Sequence, residues 1–285
     1  MSVAAVAAIP AGRHRRVLPG FGLTMGVTLT YVGIIVLLPV IALALKGAEI
    51  GPARFWDIVT APRTLAALRL TILAAALATA FNAAYGLLMA WVLVRYRFAG
   101  RRLLDAMVDI PFALPTAVAG LALTALFSQN GWYGQVLAPA GISVVYTIWG
   151  VAVAMAFTSI PFVIRTVQPI LEDLDRGQEE AALTLGATPF QVFTRVIFPA
   201  ILPAYLVGIT IAFARSLGEF GAVIFIAGNL PMKTEIASLL AVIRLEEYDY
   251  NGAAAIALTL VAIALVLLVT SNWMQARLTR RRVPA

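Results

Sequence analysis

The chain has 285 residues, 61% of them hydrophobic and only 12% charged, and a net charge of +7; its mean hydropathy is +0.92. A soluble domain needs more surface charge than this, so the composition excludes the ordinary soluble classes and points to an integral membrane protein. Cysteine is absent and the single histidine, His14, sits in a basic tail, which excludes disulfides, thiolate chemistry, cysteine metal sites and a zinc HExxH site.

Residues 1–20 form that tail, with Arg13, Arg15 and Arg16. Small apolar residues precede the cluster, the reverse of a signal peptide, so the first apolar run is expected to stay as a span. A transmembrane helix needs about 20 apolar residues. Runs at 21–45, 70–94, 110–127, 146–164, 200–227 and 253–273 meet or approach that length. The expected fold is therefore all-α, a polytopic membrane protein with six transmembrane helices. Its spanning domain covers 21–273, with a loop at 169–199 and a basic tail at 274–285. Alanine triplets such as Ala74, Ala75 and Ala76 let helices approach closely.

The third run carries Pro111 and Pro115. These prolines either open the helix, as in many transport pathways, or mark its start at the interface. Asp105 and Asp109 are expected at its cytoplasmic edge. The fourth run has Pro161 near its cytoplasmic end.

A polar, punctuated stretch follows at 179–199. Glu179, Glu180, Ala181, Ala182 and Leu183 favour a short helix over 178–185, and the acids suit its N-terminus. Gly186 can end that helix in a left-handed conformation. Thr188 and Pro189 restart one, with proline in a tolerated first-turn position. Pro199 is expected to break the second helix before span five. The product is a helix–turn–helix across the membrane face, able to pass a push from a partner to spans four and five.

Span five holds Arg215 and Glu219. Each charge costs about 2.5–3.5 kcal/mol at membrane depth, and residues four apart share a helix face. Two readings are open. The pair is a buried structural bridge, or Arg215, Ser216 and the backbone of Gly218 and Gly221 border an anion path with Glu219 moderating the field. The guanidinium fork matches two oxygens of a tetrahedral oxyanion. The outer segment 231–250 places Ile236, Leu239, Leu240 and Ile243 at helical spacing, as an interfacial helix or a plug.

Orientation follows from the cations. Fourteen arginines fall on one side, in the two tails, at Arg95, Arg97, Arg101 and Arg102, and at Arg165, Arg176 and Arg195. Six cations fall on the other: Lys46, Arg54, Arg63, Arg69, Lys233 and Arg244. The excess puts both termini and the 169–199 loop in the cytoplasm, and makes the basic charge a topology signal, not a nucleic-acid patch. Trp132, Tyr133 and Tyr146 outside, and Trp91 and Tyr96 inside, are expected interfacial anchors. Neither lysine, Lys46 or Lys233, can complete the Gly-Lys-Ser/Thr end of a P-loop, so an ATP-driven role needs a partner.

The spacing Glu180, Ala181, Ala182, three residues, Gly186 and on to Pro199 resembles the EAA loop of ABC-importer permeases. Val196 and Phe198 stand where the family pattern has Ile and Leu, and keep apolar bulk. Residues 95–123, 154–169, 213–229 and 244–250 are similar to permease subunits of the bacterial sulfate/thiosulfate importer. The molybdate/tungstate permeases share the Leu-Gly-Glu-Phe-Gly core at 217–221 and the proline-rich start of span three. The resemblance implies an ABC type I importer permease fold in the inner membrane, with no catalytic, metal or cofactor site in this chain. It also implies partners: a second permease of the W type, two ATPase subunits that bind ATP, and a periplasmic sulfate- or thiosulfate-binding protein. A secondary anion transporter driven by an ion gradient is the alternative from another class. It leaves the loop unexplained.

Overall fold

The computed structural model describes residues 21–280, and among them every regular element is helical. His14, the N-terminal arginines, Arg281 and Arg282 lie outside the described residues. The chain divides into two units, residues 1–46 and 47–285. In the first, α1 (Phe21–Val32) passes through a π-helical turn into α2 (Leu38–Glu49). Among the described residues, Phe21–Glu49 is one of five helical runs long and apolar enough to cross a membrane; the others are Pro62–Arg95, Ile148–Asp173, Pro189–Leu217 and Tyr250–Trp273.

The second unit begins in the last turn of α2 and continues with α3 (Pro52–Thr60) and α4 (Pro62–Arg95). The short helices α5 (Arg101–Val108), α6 (Ile110–Ala113), α7 (Thr116–Phe127) and α8 (Trp132–Leu137) lead to α9 (Ile148–Asp173). Then come α10 (Arg176–Thr184), α11 (Pro189–Val192), α12 (Phe198–Leu217), α13 (Val223–Ala227), α14 (Ala237–Glu246) and α15 (Tyr250–Arg280).

Helices α4, α9 and α12 pack pairwise at the centre. Small side chains bring them close: Ala74, Ala75 and Ala78 of α4 are buried with Val151, Ala154 and Met155 of α9. One polar strut pins their register. The Nδ2 of Asn82 donates to the Ala156 carbonyl at 3.0 Å and to Ser159 Oγ at 2.8 Å. Ser216 Oγ of α12 lies 3.1 Å from the same Ser159 Oγ. Such interhelical hydrogen bonds are worth about 0.6 kcal/mol each in a membrane, so they fix alignment more than they add stability.

The expected third span is broken. Pro115 has no N–H and disfavours a helical Leu114, which is extended with ψ 133° between α6 and α7. Of the two prolines, Pro111 stands in the first turn of α6, as a helix start, whereas Pro115 marks the break before α7. The expected fifth span also needs correction: it ends at Leu217, not at 227, and a turn over Gly218–Ala222 leads into α13. Close packing by α7 shapes that turn. A Cβ on Gly120 would sit 2.8 Å from the Ala222 Cα, and one on Gly221 would sit 2.9 Å from the Thr116 Cβ. Glycine at both positions lets α7 cross the turn backbone to backbone.

The outer segment forms α14, with Ile236, Leu239 and Leu240 buried. It packs on α4 and α15. Ala237 N donates to Thr71 Oγ1 at 2.8 Å. Arg63 grips the buried Glu235 carboxylate through Nε at 2.8 Å and Nη2 at 2.7 Å. A helix tied down this way is not a free interfacial one.

Candidate functional site: a capped loop helix pair and a charged turn

Two places concentrate the polar features predicted from the sequence. The first is the loop after α9. Asp175 caps α10, its Oδ1 accepting from Gly177 N at 2.9 Å. Gly186 ends the helix at φ +85°. Two hydrogen bonds close the turn, Gly186 N to Leu183 O at 2.9 Å and Ala187 N to Ala182 O at 3.1 Å. That is the Schellman arrangement, which needs a left-handed residue where Gly186 stands. Thr188 and Gln191 then form a reciprocal capping box at the start of α11, an arrangement typically worth about 1 kcal/mol per cap.

Pro199 does not break the second helix. Phe193–Ile197 is π-helical, and Phe198 N reaches Phe193 O across the widened turn. The extra residue lets Pro199 enter the first turn of α12, where a missing N–H costs little. From Pro189 to Leu217 the helix is therefore continuous, and the loop is joined rigidly to span five. Of the motif residues, Glu180, Ala181 and Gly186 are exposed, while Ala182 and Pro199 are half-buried. At the tip, Leu185 is 89% and Phe190 75% exposed. Both large apolar side chains are thus held outward on a capped scaffold.

Spans four and five are not the only ones joined to this loop. Arg95, at the end of α4, is ion-paired with Glu179 of α10. Its guanidinium also lies 5.3 Å from the Trp91 ring centroid. Trp91 in turn meets Phe193 edge-on at 5.3 Å. Trp91, expected as an inner-side interfacial anchor, also packs at the loop. The glutamate doublet and the arginine closing span two were the only sequence signals for this link. Removing one member of a largely buried pair costs about 3 kcal/mol. Arg95→Ala is therefore expected to raise amide hydrogen exchange across 176–184 without loss of the chain from the membrane. Exchange at the wild-type rate would show that the pair does not hold α10.

A second clamp lies nearby. Arg165 of α9 donates from Nε and Nη2 to Asp109 at 2.9 and 2.6 Å, and from Nη1 to Asp105 at 2.6 Å. Both aspartates predicted at the edge of span three are thus tied to span four.

The second place is the turn ending α12. Arg215 Nη1 lies 3.0 Å from Glu219 Oε2, with the arginine side chain 37% exposed and the glutamate 1%. The two are brought together as expected, although Glu219 lies past the end of the helix, not within it. Its other oxygen accepts from Ala222 N at 3.1 Å, and its carbonyl accepts from Ser238 Oγ at 2.8 Å. Gly218 is exposed and Gly221 half-buried beside Thr116. Ser216 is fully buried against Ser159, so it serves the interhelical strut and does not border an open path. The start of α7 at Thr116 belongs to this neighbourhood. Only the Pro115 break could have pointed to it.

Apolar helices around a small-residue core, with a rigid loop at one end and a charged turn inside, define a membrane transport component. The profile of the family described as binding-protein-dependent transport system inner membrane component matches residues 82–283. The chain belongs to that family. It is 57% identical over 269 residues to the sulfate transport system permease protein CysT of Salmonella typhimurium, covering 94% of this chain and 97% of that one. The Escherichia coli protein of the same name is 56% identical over the same shares. CysT of Synechocystis is 48% identical, with 87% of each chain covered. Among solved structures, a bacterial ABC transporter that imports alginate matches with TM-score 0.72 at 19% identity, over 90% of this chain and 96% of that one. The MetNI methionine ABC transporter, in an inward-facing conformation, matches with TM-score 0.55 at 17% identity, over 78% and 96%.

Proposed function

We propose that this chain is a transmembrane permease subunit of an ATP-driven importer that carries sulfate or thiosulfate into the cytoplasm. The observation that carries the coupling part is the capped α10–α11 pair running unbroken into α12. A partner pressing on Leu185 and Phe190 would move span five directly, and span two through Arg95 and Glu179. High identity to sulfate permeases supports the substrate class. The arginine distribution supports cytoplasmic tails, at 1–20 and 274–285, and a cytoplasmic loop on the 21–273 domain. The partners are a second permease of the W type, two ATPase subunits that bind ATP, and a periplasmic sulfate- or thiosulfate-binding protein. A structural neighbour is an alginate transporter in complex with its periplasmic protein.

The energetics require an energy source, which the ATPase partners would supply. Moving a dianion into an interior 100 mV negative costs about 4.6 kcal/mol, twice the single-charge value. Passive conduction would therefore lose sulfate. Arg215, the exposed Gly218 and the turn at Gly221 are the proposed anion contacts, with Glu219 keeping the guanidinium from binding a dianion too tightly for release.

Uptake of radiolabelled sulfate and molybdate in cells lacking the gene, then with it restored, tests the reading. Sulfate uptake is expected to return and to stop on ATP depletion. Return of molybdate uptake alone would move the substrate to the molybdate/tungstate class. Uptake indifferent to ATP and driven by an ion gradient would overturn the coupling.

A further inference from the structure

The loop between α4 and α5, with the first turn of α5, holds a cluster of cations outside the two places described above. Arg97, Arg101 and Arg102 line one surface cavity of about 540 Å³ with Phe98, Gly100 and Asp105. None of the three arginine side chains forms an ion pair or hydrogen bond among the described residues. Arg95 and Arg165, close in the fold, are both paired. Among the described residues, Asp105 is the only acid in the cavity wall, and its Oδ1 accepts from Arg165 Nη1 at 2.6 Å. The cavity is therefore strongly positive. A topology signal needs cations near a helix end, but it does not need them unpaired around one concavity.

The surroundings narrow the ligand. α5 is amphipathic: Leu104 and Val108 pack into the bundle, while Leu103 and Met107 stand 67% and 51% exposed on another face. Phe98 and Tyr96 are exposed beside the arginines. A short helix with an outward apolar face beside a cluster of cations is the pattern that lies at a bilayer surface, acyl chains on one side and headgroups on the other. Guanidinium forks match phosphate oxygens in pairs.

We infer that Arg97, Arg101 and Arg102 bind the phosphate of an acidic phospholipid whose acyl chains lie along Leu103 and Met107. The inference rests on the membrane-spanning reading and is independent of the anion transported, so failure of the sulfate assay would leave it standing.

The test uses the full chain purified in detergent with the subunits that co-assemble with it. Native mass spectrometry counts lipid retained after exposure to phosphatidylglycerol or phosphatidylcholine. The wild type is expected to keep phosphatidylglycerol selectively, and each arginine changed to glutamine is expected to weaken retention about fivefold. Arg97→Lys keeps the charge and is expected to lose less. If the triple glutamine variant does not reach the membrane, the exposed Arg102→Gln alone carries the fivefold test. Equal retention of both lipids, or selective retention unchanged by Arg102→Gln, overturns the site. Displacement of the lipid by an equal concentration of inorganic phosphate would assign the pocket to a free oxyanion and overturn the lipid. Loss of co-purifying ATPase subunits in the variants, with lipid retention unchanged, would make it a protein interface and overturn it as well.

Discussion

Gly186→Val is expected to abolish uptake while leaving the chain in the membrane at its normal amount. The reason lies wholly in the backbone. Gly186 has φ +85°, and a Cβ built there meets no heavy atom within 4 Å. Space is therefore not limiting. A β-branched residue in the left-handed region costs about 2 kcal/mol or more, enough to release the two hydrogen bonds from Gly186 and Ala187 that close the turn. Once they open, α10 is no longer held at a fixed angle to α11, and a push on the loop dissipates before reaching α12. Two companions sharpen the test. Gly186→Ala costs about 1 kcal/mol and is expected to reduce uptake only in part. Gly186→Asn is expected to transport, since asparagine visits the left-handed region readily. The measurements are sulfate uptake and membrane-fraction immunoblotting. Normal uptake with valine would end the coupling role of the turn, and loss with asparagine would point to the side chain instead of the backbone.

The loop was legible in the sequence because its signals are local. Gly186, Thr188 and Pro189 act through their own backbone, and each does what its residue type predicts, whereas the Asp175 cap, which starts the helix at Arg176 and not at 178, went unread. Pro199 misled because its cost is set by the neighbouring hydrogen-bond register, and the π-helical turn at Phe193–Ile197 absorbs it. Long apolar runs made the spans legible, but the two breaks differ in kind. The break at Leu114 follows from Pro115 alone. The break at Gly218 depends on α7 crossing at Gly120, a contact between residues about a hundred positions apart that no window of sequence shows. The same holds for Arg95 with Glu179, and for Ser216 facing Ser159. Residue types announced that these groups were unusual in an apolar chain. Only the folded arrangement tells which of them face the core and which face the loop.

Arg215→Ala is expected to lower the amount of folded transporter severalfold, and changing Glu219 to glutamine as well is expected to restore it. The asymmetry of the pair drives this. Glu219 is 1% exposed, whereas the arginine side chain is 37% exposed. Removing the arginine leaves a buried carboxylate with one backbone donor, at a cost of about 3 kcal/mol for breaking a buried pair, toward the lower end here because Arg215 is partly solvated. Glutamine in place of Glu219 removes the charge and can still accept from Ala222 N. Uptake per folded molecule then separates the two roles of Arg215. On the proposed anion path, the double variant assembles yet stays far below wild type in sulfate uptake, because no guanidinium is left at the turn. Full recovery of uptake along with assembly would make Arg215 a structural counter-ion and nothing more. Glu219→Gln alone is informative in the same experiment. It frees the guanidinium from its partner, so it should tighten sulfate binding and slow release, giving a lower apparent KM together with a lower maximal rate. A change in maximal rate without any change in KM would mean that the carboxylate does not moderate the field at the turn.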